Sequence, residues 1–236
     1  MNETLEFLEF SIPCKDVGKS LAWYQELGFT ELQTSDVRAH HYAVVTDGDF
    51  CIGLHGNNHA AAGLSFVRRN LAHHVRRETL AGAQFESTRL GEDEFNEAVQ
   101  SDPDGTLMIM LEARTFSPGI TNAGCAPVIG RLDHIVLPCM RLDATLEFWQ
   151  EYGFISVESG TEATAELHFP GVAIQLREGT RYAELQFCPT RFNSIMHAVA
   201  RTSIAARPTT NGFYLTAPEG TRLVIKNTKG ADEQTL

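Results

Sequence analysis

Apolar residues recur along this chain with a period of two or with helical spacing, in an order that itself repeats. Residues 6–12 alternate as a strand, and from about Val17 to Leu27 the apolar positions Val17, Leu21 and Tyr24 fall on one face of a predicted helix. Strands are predicted near 29–34, 40–46 and 50–55, the last two joined as a hairpin by Asp47-Gly48-Asp49. The same order returns with a strand at 132–138 and a helix at 143–152, where Leu142, Leu146 and Trp149 share a face and Asp143 is the predicted N-cap. Strands near 154–158, 163–169 and 172–177 follow, the last two around Pro170-Gly171. The segments 13–29 (PCKDVGKSLAWYQELGF) and 138–154 (PCMRLDATLEFWQEYGF) align without a gap. The repeating unit is β-α-β-β-β, and Tyr24 and Trp149 are expected in its core.

Each half adds a second unit that matches the first less closely. In the C-terminal half it starts at Glu184-Leu185-Gln186-Phe187, continues through a helix carrying Phe192, Ile195, Met196 and Val199, and ends at the turn Pro218-Glu219-Gly220. In the N-terminal half it runs from Leu64-Ser65-Phe66 to Asp102-Pro103-Asp104-Gly105. The expectation is an α+β protein of four such units in two pairs. Residues 1–116 form an N-terminal domain, the Pro- and Gly-rich stretch 117–130 a linker, 131–230 a C-terminal domain and 231–236 a tail.

The 236 residues are 43% hydrophobic and 21% charged, a globular composition. A net charge of −11 with no Lys/Arg cluster argues against a nucleic-acid partner. Five cysteines without a C-x-x-C pair suggest neither a disulfide framework nor a thiolate metal site. The first ten residues lack the basic and apolar stretches of a signal peptide, and no apolar run reaches membrane-spanning length, so the expected location is the cytoplasm, without membrane partners. G-x-S-x-G, G-x-G-x-x-G and P-loop motifs are absent, so no nucleophile elbow or nucleotide-phosphate site is expected.

The run D-H-I-V-L-P at 133–138, the helix ending F-W-Q-E-Y-G-F at 148–154, and the D-P-D-G and P-E-G turns before the closing strands resemble the vicinal oxygen chelate superfamily, which includes glyoxalase I, bleomycin-resistance proteins and extradiol dioxygenases. The resemblance covers nearly the whole chain. It implies paired units that fold their sheets into two cups, with metal ligands on the first and last strands of each unit facing into the cup.

Strand alternation shows which face that is. Apolar side chains turn to the helices, leaving His134 and Val136, Ala173, Gln175 and Arg177, Glu166 and His168, and Glu184 and Gln186 on the free face of the C-terminal half. His134, Gln175 and Glu184 fill three of the four positions assigned to family ligands, and Val224 takes the fourth. The corresponding N-terminal positions are Glu9, Gly53, Gly63 and Ile109, and with Leu107 and Leu111 they describe a largely apolar cup that is either structural, a partner surface, or a ligand pocket to which Glu9, His41 or His55 contributes. The pairs His40-His41 and His73-His74 diverge on a strand and a helix and are expected to be surface or partly buried histidines.

The leading expectation is a protein that binds a small organic molecule in the C-terminal cup, with one divalent metal (Zn, Ni, Mn or Fe) held by His134, Gln175 and Glu184 and isomerase or lyase chemistry of glyoxalase type. Glu184, His168 and Glu166 are the catalytic candidates, and Tyr214, Arg177, Gln186 and Glu9 the substrate-binding ones. Ring cleavage is disfavoured, because Val224 stands where that chemistry needs a carboxylate. The alternative is a metal-free sequestering protein resembling the bleomycin-resistance branch. Either would be a monomer or a homodimer.

Overall fold

A computed structural model describes residues 5–35, 38–56, 61–116, 127–157 and 163–227. Most of the predicted linker, and the predicted tail, lie outside these residues. The chain order is β1 (Glu6–Cys14), α1 (Val17–Glu26), β2 (Thr30–Leu32), β3 (Tyr42–Thr46), β4 (Cys51–Gly56), β5 (Gly63–Val67), α2 (Leu71–Leu80), β6 (Ser87–Arg89), β7 (Glu97–Ser101) and β8 (Leu107–Leu111). The second half repeats it with β9 (Leu132–Cys139), α3 (Leu142–Glu151), β10 (Ile155–Val157), β11 (Thr164–Phe169), β12 (Val172–Glu178), β13 (Glu184–Phe187), α4 (Phe192–Val199), β14 (Arg207–Thr209), β15 (Gly212–Thr216) and β16 (Arg222–Lys226). Helix α3 begins one residue before the predicted N-cap Asp143, which lies in its first turn; the cap position is Arg141. Asp16 caps α1, accepting the Lys19 N–H at 3.0 Å.

Two eight-stranded sheets result, ordered β2-β3-β4-β1-β5-β8-β7-β6 and β10-β11-β12-β9-β13-β16-β15-β14. Each sheet joins the two units of one half through an antiparallel pair of first strands, β1 with β5 and β9 with β13. These central pairs carry matching irregularities: Leu8 and Asp133 are extra residues in β1 and β9, which bulge each strand just before Glu9 and His134.

The helix-side faces of both sheets share one core. Ile12, Leu64 and Phe66 of the first half belong to the same buried cluster as Ile135, Leu185 and Phe187 of the second, and Phe66 meets Phe169 edge-on at 5.5 Å. Reciprocal hydrogen bonds tie the halves together. Ser20 and Tyr24 of α1 donate to Glu219 in the β15–β16 turn at 2.6 and 3.0 Å. Their repeat counterparts in α3, Thr145 and Trp149, donate to Asp104 at 2.7 Å and Asp102 at 3.1 Å in the β7–β8 turn. Among the described residues no helix is long and apolar enough to cross a membrane.

Candidate functional site

Register decides which cup-facing side chains meet. On the C-terminal sheet His134 lies opposite Gln186, Gln186 beside Val224, and Val224 opposite Tyr214. One residue back along β12 from the Ile174–Ile135 pair, Ala173 flanks His134 on the other side. Gln175 and Glu184 instead flank Val136, one rung further on. Two residues along a strand separate those rungs by roughly 6.6–6.8 Å. His134 and the pair Gln175/Glu184 were read from sequence as one ligand set; the sheet divides them between two rungs.

The Val136 rung is engaged by cations. Gln175 Oε1 accepts from Arg177 Nε at 3.2 Å, and Arg177 and Arg222 stand 3.8 and 3.7 Å from the Glu184 carboxylate. Arg222 also lies over the Tyr214 ring, 5.2 Å from its centroid. Lys226 adds a third positive group: burial, then the nearby Arg177 charge, lower its pKa. Glu166 and His168 pair with one another at 2.7 Å on the more exposed strand β11.

The His134 rung is the unusual one. His134 is 8% exposed and Gln186 4%. Asp133, placed by the bulge, lies 2.8 Å from His134 Nδ1, and this hydrogen bond holds the Asp133 pKa below its ordinary value. With Nδ1 engaged by Asp133, Nε2 is the ring nitrogen left for a partner in the cup. Among the described residues Nε2 has no hydrogen-bond partner, and neither does Gln186 Oε1, although both atoms are buried. Two buried polar atoms on adjoining strands are thus left unmet, each at a cost of about 1–3 kcal/mol.

The N-terminal cup answers the same positions differently. Leu8, Val44, Val99, Leu107, Ile109 and Leu111 form an apolar cluster, as the sequence suggests. Glu9, however, is wholly buried at the centre of a polar network. It accepts from Tyr42 at 2.6 Å and Ser11 at 2.9 Å and lies 2.7 Å from His55 Nε2, while His55 Nδ1 is 3.0 Å from His40. Burial raises the Glu9 pKa, but the His55 and Tyr42 hydrogen bonds and the His55 and Arg38 charges outweigh it and hold the carboxyl below the usual range. Gly53 leaves room for that carboxylate: a Cβ there would stand 2.2 Å from Glu9 Oε1. Arg38 pairs with Glu97 at 2.8 Å and lies 5.4 Å from the Tyr42 and Phe95 ring centroids. This cup is therefore less apolar than expected, and His55 and His40 join its network, whereas no hydrogen bond among the described residues joins His41 to Glu9. His74, expected at the surface or partly buried, is almost fully buried in α2.

Solved structures with the same arrangement include the Mn(II)-bound glyoxalase from Novosphingobium aromaticivorans. It matches at a TM-score of 0.64 and 16% identity over 93% of this chain and 81% of that one. The chain has the vicinal oxygen chelate fold. Homoprotocatechuate 2,3-dioxygenase from Brevibacterium fuscum, as its E323L mutant, matches at 0.64 and 17% over 96% of this chain and 72% of that one. The 2,3-dioxygenase LapB from Pseudomonas sp. KL28 matches at 0.58 and 15% over 93% and 90%. No family model matches the chain, and no curated protein matches it in sequence.

The donor set of this vicinal oxygen chelate fold does not fit a metal ion. Zinc sites take at least three protein ligands at about 2.0–2.3 Å. The His134 rung supplies one imidazole and one amide between Ala173 and Val224, and the next rung faces Arg177 and Arg222. Among the described residues no three His, Cys, Asp or Glu side chains are grouped to hold a metal. Sequence reasoning missed Asp133, Arg222 and Lys226. Period-two alternation through β16 would have placed Arg222 and Lys226 beside Val224, but the bulge that aims Asp133 leaves no sequence signal.

Proposed function

We propose that the C-terminal cup binds a small organic molecule bearing hydroxyl or N–H donors, without a metal ion, and sequesters it. The observation that carries this reading is the pair of buried polar atoms without a partner among the described residues, His134 Nε2 and Gln186 Oε1. A donor from the ligand would restore their hydrogen bonds, and Asp133 holds the imidazole in the accepting tautomer beforehand, so little order is lost on binding. Arg177, Arg222 and Lys226 favour a ligand that becomes partly anionic when it donates to His134. In this reading Tyr214 and Arg222 form the side wall, Glu184 and Gln175 hold the cations in place, and the Glu166–His168 pair lies at the outer rim. The cytoplasm and a monomeric or dimeric state belong to the same reading.

A second reading, isomerase or lyase activity, is favoured by one feature: a carboxylate-oriented imidazole with a free Nε2 is also the arrangement of a general base. The experiment uses p-nitrophenol, whose absorbance reports hydrogen bonding and ionisation of its hydroxyl. Wild-type protein should bind it and shift its spectrum, with EDTA-treated and untreated protein giving the same isotherm, and His134→Ala should lose the shift. Binding that requires added metal, or that persists in His134→Ala, would refute the proposal.

A further inference from the structure

We infer that the cleft between the two halves is a second ligand site, for a carboxylate with a flat apolar body. The cleft encloses about 740 Å³ and runs from the repeat-related Pro13 and Pro138 to Tyr214 and Arg222 at the edge of the C-terminal sheet. That is the size range of small-molecule sites. Its two walls differ in chemistry. The N-terminal half contributes Phe10, Ile12 and the short side chains of Ala61 and Ala62, whereas the C-terminal half contributes Arg181, Arg207 and Arg222 with two tyrosines.

The charges in the cleft do not cancel. Its carboxylates are already committed: Glu219 accepts from Ser20 and Tyr24, and Asp104 accepts from the Thr145 hydroxyl and the Arg141 N–H. Arg222 is shared with Glu184 at 3.7 Å. Arg181 and Arg207 form no ion pair with any described residue. In a chain of net charge −11, unpaired arginines on one concave wall focus a local positive potential that attracts an anion. Guanidinium groups match a carboxylate edge, and Tyr182, 64% exposed, stands beside Arg181 as a face on which a planar group can stack. The turns at Gly105 and Gly220 line the same cleft with φ of +91° and +98°, and the space a Cβ would take at either is open. Tyr214 and Arg222 border both this site and the cup, but nothing here depends on His134 or Gln186, so the two are tested separately.

The test uses 2-naphthoate and its uncharged counterpart 2-naphthalenemethanol, with binding followed by naphthalene fluorescence and by calorimetry. Wild-type protein should take up one 2-naphthoate per cleft and bind the alcohol at least about tenfold more weakly, the worth of one charge-assisted hydrogen bond. The Arg181→Ala/Arg207→Ala variant should lose at least about tenfold in 2-naphthoate affinity while melting as the wild type does, since both side chains lie outside the core, and His134→Ala should bind it unchanged. Absence of 2-naphthoate binding, equal affinity for the alcohol, or affinity that survives loss of both arginines would overturn the inference. Loss in His134→Ala with none in the arginine variant would overturn it in favour of the cup. Failure of p-nitrophenol to bind would leave it standing.

Discussion

Removing the Glu219 carboxylate should loosen the joint between the halves by a measurable amount. Glu219 accepts from Ser20 at 2.6 Å and from Tyr24 at 3.0 Å, and those hydroxyls belong to residues that are 1% and 0% exposed. Burial, then the Glu219 charge, pushes the Tyr24 pKa up, so the phenol stays a donor across the accessible pH range. Glu219→Ala leaves two buried donors unmet, each costing about 1–3 kcal/mol. The cleft beside Glu219 lets water reach one of them, which sets the expected loss near 3 kcal/mol. For a chain of this size each kcal/mol moves Tm by about 2–4 °C, so calorimetry should record a fall of about 6–12 °C. Ser20→Ala/Tyr24→Phe removes the donors instead, and in the triple variant the losses should fall short of additivity by at least about 1.5 kcal/mol. A Tm drop under about 3 °C, or strict additivity, would show that the reciprocal bonds do not hold the halves together.

Other consequences are equally open to measurement. Glu9 has a folded pKa below its ordinary value of 4.5, so its contribution to stability is present above that value and is lost as pH falls through the folded pKa; urea titrations between pH 6 and 3 should show a shallower acid decline in Glu9→Gln, and an unchanged slope would contradict the assignment. Gly53→Ala should cost about 3 kcal/mol by displacing the Glu9 carboxylate, and under about 1 kcal/mol in a Glu9→Ala background; equal costs in both backgrounds would exclude that clash as the cause. Gln186→Leu should match or exceed wild-type stability, by up to about 1 kcal/mol, while weakening p-nitrophenol binding at least about tenfold. Gln186→His/Val224→Glu places a second imidazole and a carboxylate on the His134 rung, and plasma emission analysis after growth with added iron or manganese should find about one metal per chain in the variant; a metal-free variant would show that the rung is not the ligand position.

Local patterns were legible in the sequence, and contacts between distant segments were not. Alternation through 132–138 correctly separates Ile135 and Leu137, which are buried against the helices, from His134 and Val136 on the cup face. The Gly-containing turns and the helix faces carrying Tyr24 and Trp149 were readable for the same reason: each depends on neighbours a few residues away. Register across a sheet is different, because it is set jointly by strands some fifty residues apart and by any bulge between them. The pairing of β9 with β13 places Gln186, and not Glu184, opposite His134, and the extra residue Asp133 follows directly after that pair. Likewise, the Glu9 network needs Arg38 and Tyr42 from a loop and strand whose approach no local pattern announces. The apolar reading of the N-terminal cup rested on Leu107, Ile109 and Leu111, and it did not show that the space beside Gly53 is filled by the Glu9 carboxylate.

The two copies differ in how the groups beside their bulges are satisfied, although Arg38 Nε and Nη2 in the first cup are also buried without a partner among the described residues. Glu9 and His134 occupy equivalent bulge-flanking positions, and both are buried. In the first copy Tyr42, Ser11 and His55 converge on the carboxylate, so a ligand would have to displace internal hydrogen bonds to gain its own. In the second, Asp133 satisfies only the outer nitrogen of the imidazole, and the inner nitrogen and the Gln186 oxygen face the cup unmet. A sequence shaped by stability alone would replace Gln186 with an apolar residue, as Val224 beside it already is. Under the proposed function, that uncompensated pair beside an apolar neighbour is where a partner from outside the chain would bind, and the second cup is where binding is to be tested first.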